Sequence, residues 1–568
     1  MYTKEQARKE ALASLKKALG KKFPVSPDML VTPPNLALGD LSFACFQLAK
    51  GQGRNPAEIA SELAAQLAPS PLIKKITAAG PYVNFVFDDA AFASSVLRDV
   101  ATKRKRYGHG SAGKGKKVLV EYAQPNTHKE FHVGHIRNAV LGQAIVNVLK
   151  ANGYETVAAS YIGDIGAHVA KAVWGLEKFV KADEIPKEDR ARVLGEVYTE
   201  ATRYVDEHPE AKEEIAEVQR KLEADEEPWY SLWRETREWS LAAFRDVFGE
   251  LGVKPDVWYY ESQVEKPGKE LVKKMLTDGI ARKSEGATIV DLEEEKLGVF
   301  LVLKSDGSSL YATKDLALAF RKDEEFHADR QIFVIDVRQS LYMKQLFAAL
   351  QRMGFTPELV HVGYEMVTLP EGAMSSRKGN IVRYEDLRDA MREKLVEETA
   401  KRHADWRKKK VEKNAAALAQ AAMVFTMLRQ DPGKQIVFDM DEAMSIDGFT
   451  GPYLLYTIAR INSIEAKADM PPILLGEHLT HEHEKAMLRI VADYPSVVAK
   501  AAATFQVSAV AQEAFALAKK FAEYYHEVRI LEDENHDRRG ARLALIAVVR
   551  QTLTNACELL GIQTVKEM

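Results

Sequence analysis

The sequence predicts a multidomain protein centred on a doubly wound parallel α/β sheet, with an α+β domain before it and an all-α helical bundle after it. Three observations carry that expectation. The chain has 568 residues, more than one hydrophobic core accommodates. Between Val118 and Asp389, short apolar runs rich in β-branched residues alternate with helical patterns, as strand–helix–strand units do. Beyond Met391 almost every window is helical and rich in Ala, Leu, Lys and Glu.

Composition narrows the class. Hydrophobic residues make up 46% and charged residues 28%, as in soluble globular proteins. No apolar run approaches membrane-spanning length, and the first segment, MYTKEQARKEALASLKKALGKK, lacks a secretory apolar core. Glu5, Glu10 and helical spacing argue against a transit peptide there. The only cysteines, Cys45 and Cys557, form no CxxC pair, which excludes a disulfide framework and a cysteine zinc site and suits a cytoplasmic, reducing compartment. A net charge of -3 does not announce a nucleic-acid binder, although local basic patches decide that question.

Residues 1–105 form the first expected domain. Asn55–Leu67 reads as a helix because Asn55 can cap it, Pro56 suits its first turn and Glu58 lies near its positive end. Ile76–Phe87 alternates and, with its Gly-Pro break, reads as a strand. Residues 106–117 are a linker within the basic stretch Lys103–Lys117, which holds seven Lys or Arg, no acids and four glycines. It is either a phosphate-attracting patch or a solvated hinge. Gly108, Gly113 and Lys114 imitate a phosphate loop, but Gly115 stands where a hydroxyl is required and the segment precedes a strand instead of following one.

Residues 118–390 form the central domain, with strands expected at Val118–Glu121, Thr156–Tyr161, Ala287–Asp291, Val299–Lys304, Gln331–Asp336 and Leu359–Gly363. A charged helical insertion occupies about 173–245, and residues 391–568 form the helical domain.

The most informative stretch is VLVEYAQPNTHKEFHVGHIRN, Val118–Asn138. In an open parallel sheet, ligands bind at the carboxyl ends of the strands, where the first strand turns into its helix. His132 and His135 are three apart and share a face at a helix start; Gly134 allows close approach of a base or phosphate. With Lys129 they suit an anion at the helix's positive end. Taken alone, the histidines are equally readable as ordinary surface residues. Further on, PEGAMSSRKGNIVRYEDL carries Ser375, Ser376, Arg377 and Lys378 in a glycine-bracketed loop. Such a loop could close over a triphosphate, and in isolation its composition fits a polar surface turn as well.

Together, H-V-G-H after the first strand and M-S-S-R-K-G after the last resemble the paired signatures of class I aminoacyl-tRNA synthetases. The segments VEYAQPNTHKEFHVGHIRNAVLGQAI, GDIGAHVAK, SDGSSLYATKDLALA and IDVRQSLYMKQLFAALQRMGF resemble the arginyl-tRNA synthetase family, as do NLALGDLSFACFQLAK near the start and ARLALIAVVRQTLTNACELLGIQTVKEM at the end. The likeness runs from about residue 1 to 568, excluding the insertion. It implies a Rossmann-like HUP nucleotide-binding core that activates L-arginine with ATP, as its Mg2+ complex, and transfers it to tRNA(Arg). It further implies a monomer with no membrane partner and no protein-bound zinc, and a need for tRNA before arginine is activated.

The resemblance assigns ATP to His132, Gly134, His135, Met374, Ser375, Ser376 and Lys378, with Lys129 and Arg377 adding catalytic charge. It assigns arginine to Glu121, Gln124, Asn126, His135, Tyr311, Asp315 and Gln345. That set makes physical sense, because a planar, permanently charged guanidinium needs carboxylates and directional acceptors. For tRNA it suggests Asn84, Phe85, Tyr453, Arg460 and Met568. Each residue has a bland alternative: Asp315 as a helix cap, Gln345 as a solvated helix residue, Tyr311 as core. The chain also departs from the family. Ala373-Met374-Ser375-Ser376-Arg377 lacks both lysines of the K-M-S-K-S motif. Gln124, His168, Tyr342, Leu455 and Ile458 replace commoner residues. The rivals are a small nucleotidylyltransferase, opposed by the extra domains, and a non-catalytic RNA-binding paralogue, opposed by the intact histidine motif.

Overall fold

The structure, a computed structural model, describes residues 1–20, 23–33, 35–180, 185–370 and 382–568. The first region packs helices against a four-stranded antiparallel sheet of β1 (Leu30–Val31), β2 (Leu41–Ala44), β3 (Ile73–Ala79) and β4 (Tyr82–Phe87), in the order β1-β2-β4-β3. The segment read as one strand is therefore a hairpin, turned at Gly80, whose φ of 55° favours glycine. The helix read at Asn55–Leu67 is Pro56–Gln66, and Asn55 Oδ1 accepts a hydrogen bond from the Ala57 amide at 2.9 Å.

The basic stretch is not a solvated hinge. Its cations from Arg104 to Arg106 face solvent, but its backbone is fastened. Asn555 Nδ2 donates to the carbonyls of Arg104 and Tyr107 at 2.9 and 3.0 Å, and the buried Tyr107 donates its hydroxyl to the Val491 carbonyl at 2.8 Å. A Cβ at Gly113 would come within 2.2 Å of the Tyr154 ring, so this glycine is a packing requirement.

The central sheet holds β5 (Lys117–Glu121), β6 (Glu155–Ile162) and β7 (Val257–Tyr260), and two later strands join it after a separate sheet. That separate sheet contains β8 (Arg282–Ser284), β9 (Ala287–Leu292) and β10 (Gly298–Leu303), in antiparallel pairs. Two of the strands expected in the parallel sheet, at Ala287 and Val299, thus lie outside it. The reason is chain length: the connection from Leu292 to Gly298 suffices for a hairpin, whereas a parallel pair needs a crossover of a dozen residues or more. With β11 (Arg330–Asp336) and β12 (Glu358–Tyr364), the central order is β12-β11-β5-β6-β7 and every pairing is parallel.

The Val133–Ala151 helix, which follows β5, is buried on nearly all sides. It lies between this sheet and three helices of the carboxyl-terminal bundle, Lys408–Leu428, Glu482–Thr504 and His536–Leu560. An all-round apolar helix requires such enclosure. The same accounts for His536–Leu560, which by length and composition could cross a membrane, contrary to the sequence expectation, yet is 72% buried within the bundle over its most apolar window.

Candidate active site

Strand order reverses between β5 and β11, and the crevice lies outside their carboxyl ends. Asn138 fixes this point: its Nδ2 donates to the Val334 carbonyl at 2.7 Å, and its Oδ1 accepts from the Ala123 amide at 2.6 Å. Ala123 adopts a φ of 54°, a left-handed conformation that a residue with a Cβ seldom takes, and Ser160 Oγ holds its carbonyl at 2.5 Å. The resulting cavity measures about 850 Å³ and is lined by His132, His135, Glu121, Asn126, Tyr311 and Asp315, among others. Gln124 and Gly134 also line it.

The histidines form a capping pair. His132 is the cap of the Val133–Ala151 helix, and its Nδ1 accepts from the Gly134 amide at 3.1 Å; His135 Nδ1 accepts from the His132 amide at 3.2 Å. A ring nitrogen that accepts an amide proton carries none of its own, so both rings hold their proton on Nε2. Burial, reinforced by the Lys129 charge, pushes His132 down to about 4; burial, His132 and Lys129 push His135 well below its usual range. The rings stack with centroids 3.8 Å apart, which also opposes two like charges. At neutral pH the pair are uncharged donors, and Lys129 is the cation beside them. Burial lowers the Lys129 ammonium from its ordinary value, and the group lies 5.1 Å from the centre of the Tyr198 ring.

The same cavity carries an acidic group of residues. Glu121 is buried and paired with Lys322 at 2.6 Å, while Gln124 Nε2 donates to its other oxygen at 3.2 Å. Glu261 is buried and paired with Lys314. Asp315 differs: its Oδ2 accepts from the Tyr342 hydroxyl at 2.5 Å, and among the described residues it forms no ion pair. Burial pushes Asp315 up to about 7. Asn126 reaches in over Gly163, where a Cβ would stand 2.1 Å from Asn126 Oδ1.

Gln345 departs from expectation. Its Nε2 donates to the carbonyls of Leu297 and Val299 at 2.8 and 3.3 Å, and it is absent from the cavity wall. The residue beside the slot is instead Tyr342, three positions earlier on the same helix and visible in the sequence only as a departure from the family pattern. Glu261 and its partner Lys314 carried no sequence signal. Met374, Ser375, Ser376, Arg377 and Lys378 lie outside the described residues.

Of the residues suggested for tRNA, Asn84 and Phe85 are corrected. They are 1% and 0% exposed, because β4 is flanked on both edges and both side chains point into protein. The exposed aromatic pair on this region is Phe46 and Tyr82, edge to face at 5.7 Å. Arg460 and Met568 line a second cavity of about 370 Å³, where the Arg460 guanidinium lies 4.7 and 4.9 Å from the Tyr456 and Tyr525 rings. Tyr453 is half-buried against Phe515, with ring centres 5.6 Å apart.

A five-stranded parallel sheet, its switch-point crevice and a histidine pair capping the first helix define a class I aminoacyl-tRNA synthetase core. Family models agree in sequence order: an arginyl tRNA synthetase N terminal domain matches residues 6–87, the class I (R) tRNA synthetase catalytic domain 97–440, and a DALR anticodon binding domain 454–568. The arginine–tRNA ligase of Bdellovibrio bacteriovorus is 38% identical, with 100% of both chains covered, and that of Clostridioides difficile is 34% identical over 95% of each. The Thermus thermophilus arginyl-tRNA synthetase structure superposes with a TM-score of 0.83 at 25% identity, covering 99% of this chain and 100% of that one. The chain belongs to the arginyl-tRNA synthetase family.

Proposed function

We propose that arginine occupies the slot of Glu121, Gln124, Asn126, Tyr311 and Asp315, and that ATP lies across His132, Gly134 and His135 with Lys129 near its phosphates. As a member of its family, the chain is a ligase that activates L-arginine with ATP to arginyl-adenylate and transfers arginine to the 3′ end of tRNA(Arg), releasing AMP and pyrophosphate. In this reading the guanidinium pairs with Asp315, leaving the arginine carboxylate to attack the α-phosphorus. The histidine Nε2–H groups donate to phosphate oxygens, and Lys129 offsets their charge. Positioning and electrostatics then suffice without a covalent enzyme intermediate.

ATP enters as its magnesium complex, the ion held by phosphate oxygens and water. The closing loop's Met374, Ser375, Ser376, Arg377 and Lys378 would attend the departing pyrophosphate. Arg460 and Met568 would meet the anticodon arm, and Phe46 with Tyr82 would stack on the tRNA elbow. Domains of 1–105, 118–390 and 391–568, a monomeric state, a cytoplasmic location and independence of membranes complete the reading.

The observation that carries it is Asp315: the carboxylate without an ion-pair partner among the described residues lines the same cavity as the two capping histidines. Charging of total tRNA with each amino acid in turn is expected to proceed with arginine alone. Asp315→Asn is expected to raise the KM for arginine at least about 100-fold, because a neutral amide cannot pair with a buried guanidinium. An unchanged KM would remove Asp315 from the slot.

A further inference from the structure

The helical insertion grips the loop that carries Lys129. On one side, His128 Nε2 lies 2.8 Å from Thr236 Oγ1 and the His128 amide donates to Ser240 Oγ at 3.0 Å; both partners belong to the Trp229–Leu251 helix. His128 is fully buried there and held at a φ of 62°. On the other side, the Arg190–Glu207 helix presents Gly195 so closely to Glu130 that a Cβ would come within 2.4 Å of its side chain. One turn further along, Tyr198 offers its ring to the Lys129 ammonium at 5.1 Å. Lys171, from the preceding helix Ala167–Phe179, reaches the same ring at 5.5 Å and donates to Thr202 Oγ1 at 3.3 Å. Residues 128, 129 and 130 are thus each touched by a helix of the insertion, immediately before the histidine cap.

We propose that Tyr198 is a positioning residue for arginine activation: its ring holds the Lys129 ammonium beside the phosphate site, so that the insertion forms one wall of the active site. This rests on the reading of Lys129 as the fixed cation near ATP. A ring face suits the task. It attracts the ammonium through its quadrupole yet leaves the N–H donors free for phosphate, whereas a carboxylate partner would neutralise the charge and occupy those donors. Lys129 stands three residues before the His132 cap, on the loop that leads into the start of the Val133–Ala151 helix.

The test is a double-mutant cycle in the full-length enzyme, read as tRNA-dependent ATP–pyrophosphate exchange, with thermal unfolding as a folding control. Lys129→Ala is measured first; unchanged exchange would discard the underlying reading of Lys129 itself. With that loss established, Tyr198→Leu is expected to cost about tenfold in kcat, the scale of a desolvated cation–ring contact. Tyr198→Phe, which keeps the ring and loses the hydroxyl, is expected to stay within about twofold of the parent. In the Lys129→Ala background Tyr198→Leu is expected to cost nothing more. The proposal is overturned if the leucine variant is as active as the parent, if phenylalanine fails to rescue, or if the two losses multiply.

Discussion

Asp315 and Tyr342 set how the slot responds to pH. Burial, opposed by the Tyr342 hydroxyl and Lys322 and aided by the Glu121 and Glu261 charges, leaves the Asp315 carboxyl raised to about 7. Tyr161, itself buried, faces the same group. A neutral carboxyl cannot pair with a guanidinium, so arginine affinity is expected to rise as pH climbs through about 7, nearly tenfold per unit below it and flat well above. Tyr342→Phe removes a bond that favours the ionised form, and the midpoint of the KM profile is expected to move to higher pH; a profile left in place would sever Tyr342 from Asp315. At this scale the sequence was partly legible. Tyr311 and Asp315 could be placed by their four-residue spacing on a helix. Gln345 could not, because the carbonyls that occupy its amide belong to a hairpin about fifty residues away. The Glu121–Lys322 pair spans 201 residues and is equally invisible to local pattern.

Elements were more legible where length and capping decide them. Asn55 and Pro56 mark a helix start correctly because the cap chemistry is local. β7 was missed: Val257–Tyr260 is four residues with three aromatics, too short to show a period. β9 and β10 were misplaced because apolar runs of that length look alike in parallel and antiparallel sheets. One close approach lies where the Val133–Ala151 helix crosses the β5 exit. There a Cβ on Gly142 would stand 2.2 Å from the Tyr122 ring, which is fully buried. Gly142→Ala is expected to lower stability by about 1–3 kcal/mol through overpacking, measurable by denaturant unfolding. Because the same helix begins at His132, weaker nucleotide binding should accompany the loss.

The whole molecule is tied across its ends. Arg489, on the bundle helix Glu482–Thr504, donates to Asp40 at 2.7 Å and to Asp89 at 3.2 Å, and Lys485 meets Asp89 at 2.8 Å. These contacts link the amino-terminal region to the bundle and could not be foreseen, since charge pairs between distant segments have no local signature. The acidic slot has a consequence at this scale as well. Of its three carboxylates, Glu121 and Glu261 receive their counterions from Lys322 and Lys314, both on the Tyr311–Phe326 helix, and among the described residues Asp315 has none. On the proposed reading, bound arginine supplies that counterion and should make the enzyme harder to melt. At 100 times its dissociation constant it is expected to add about 2.7 kcal/mol, read as a rise in Tm that Asp315→Asn abolishes.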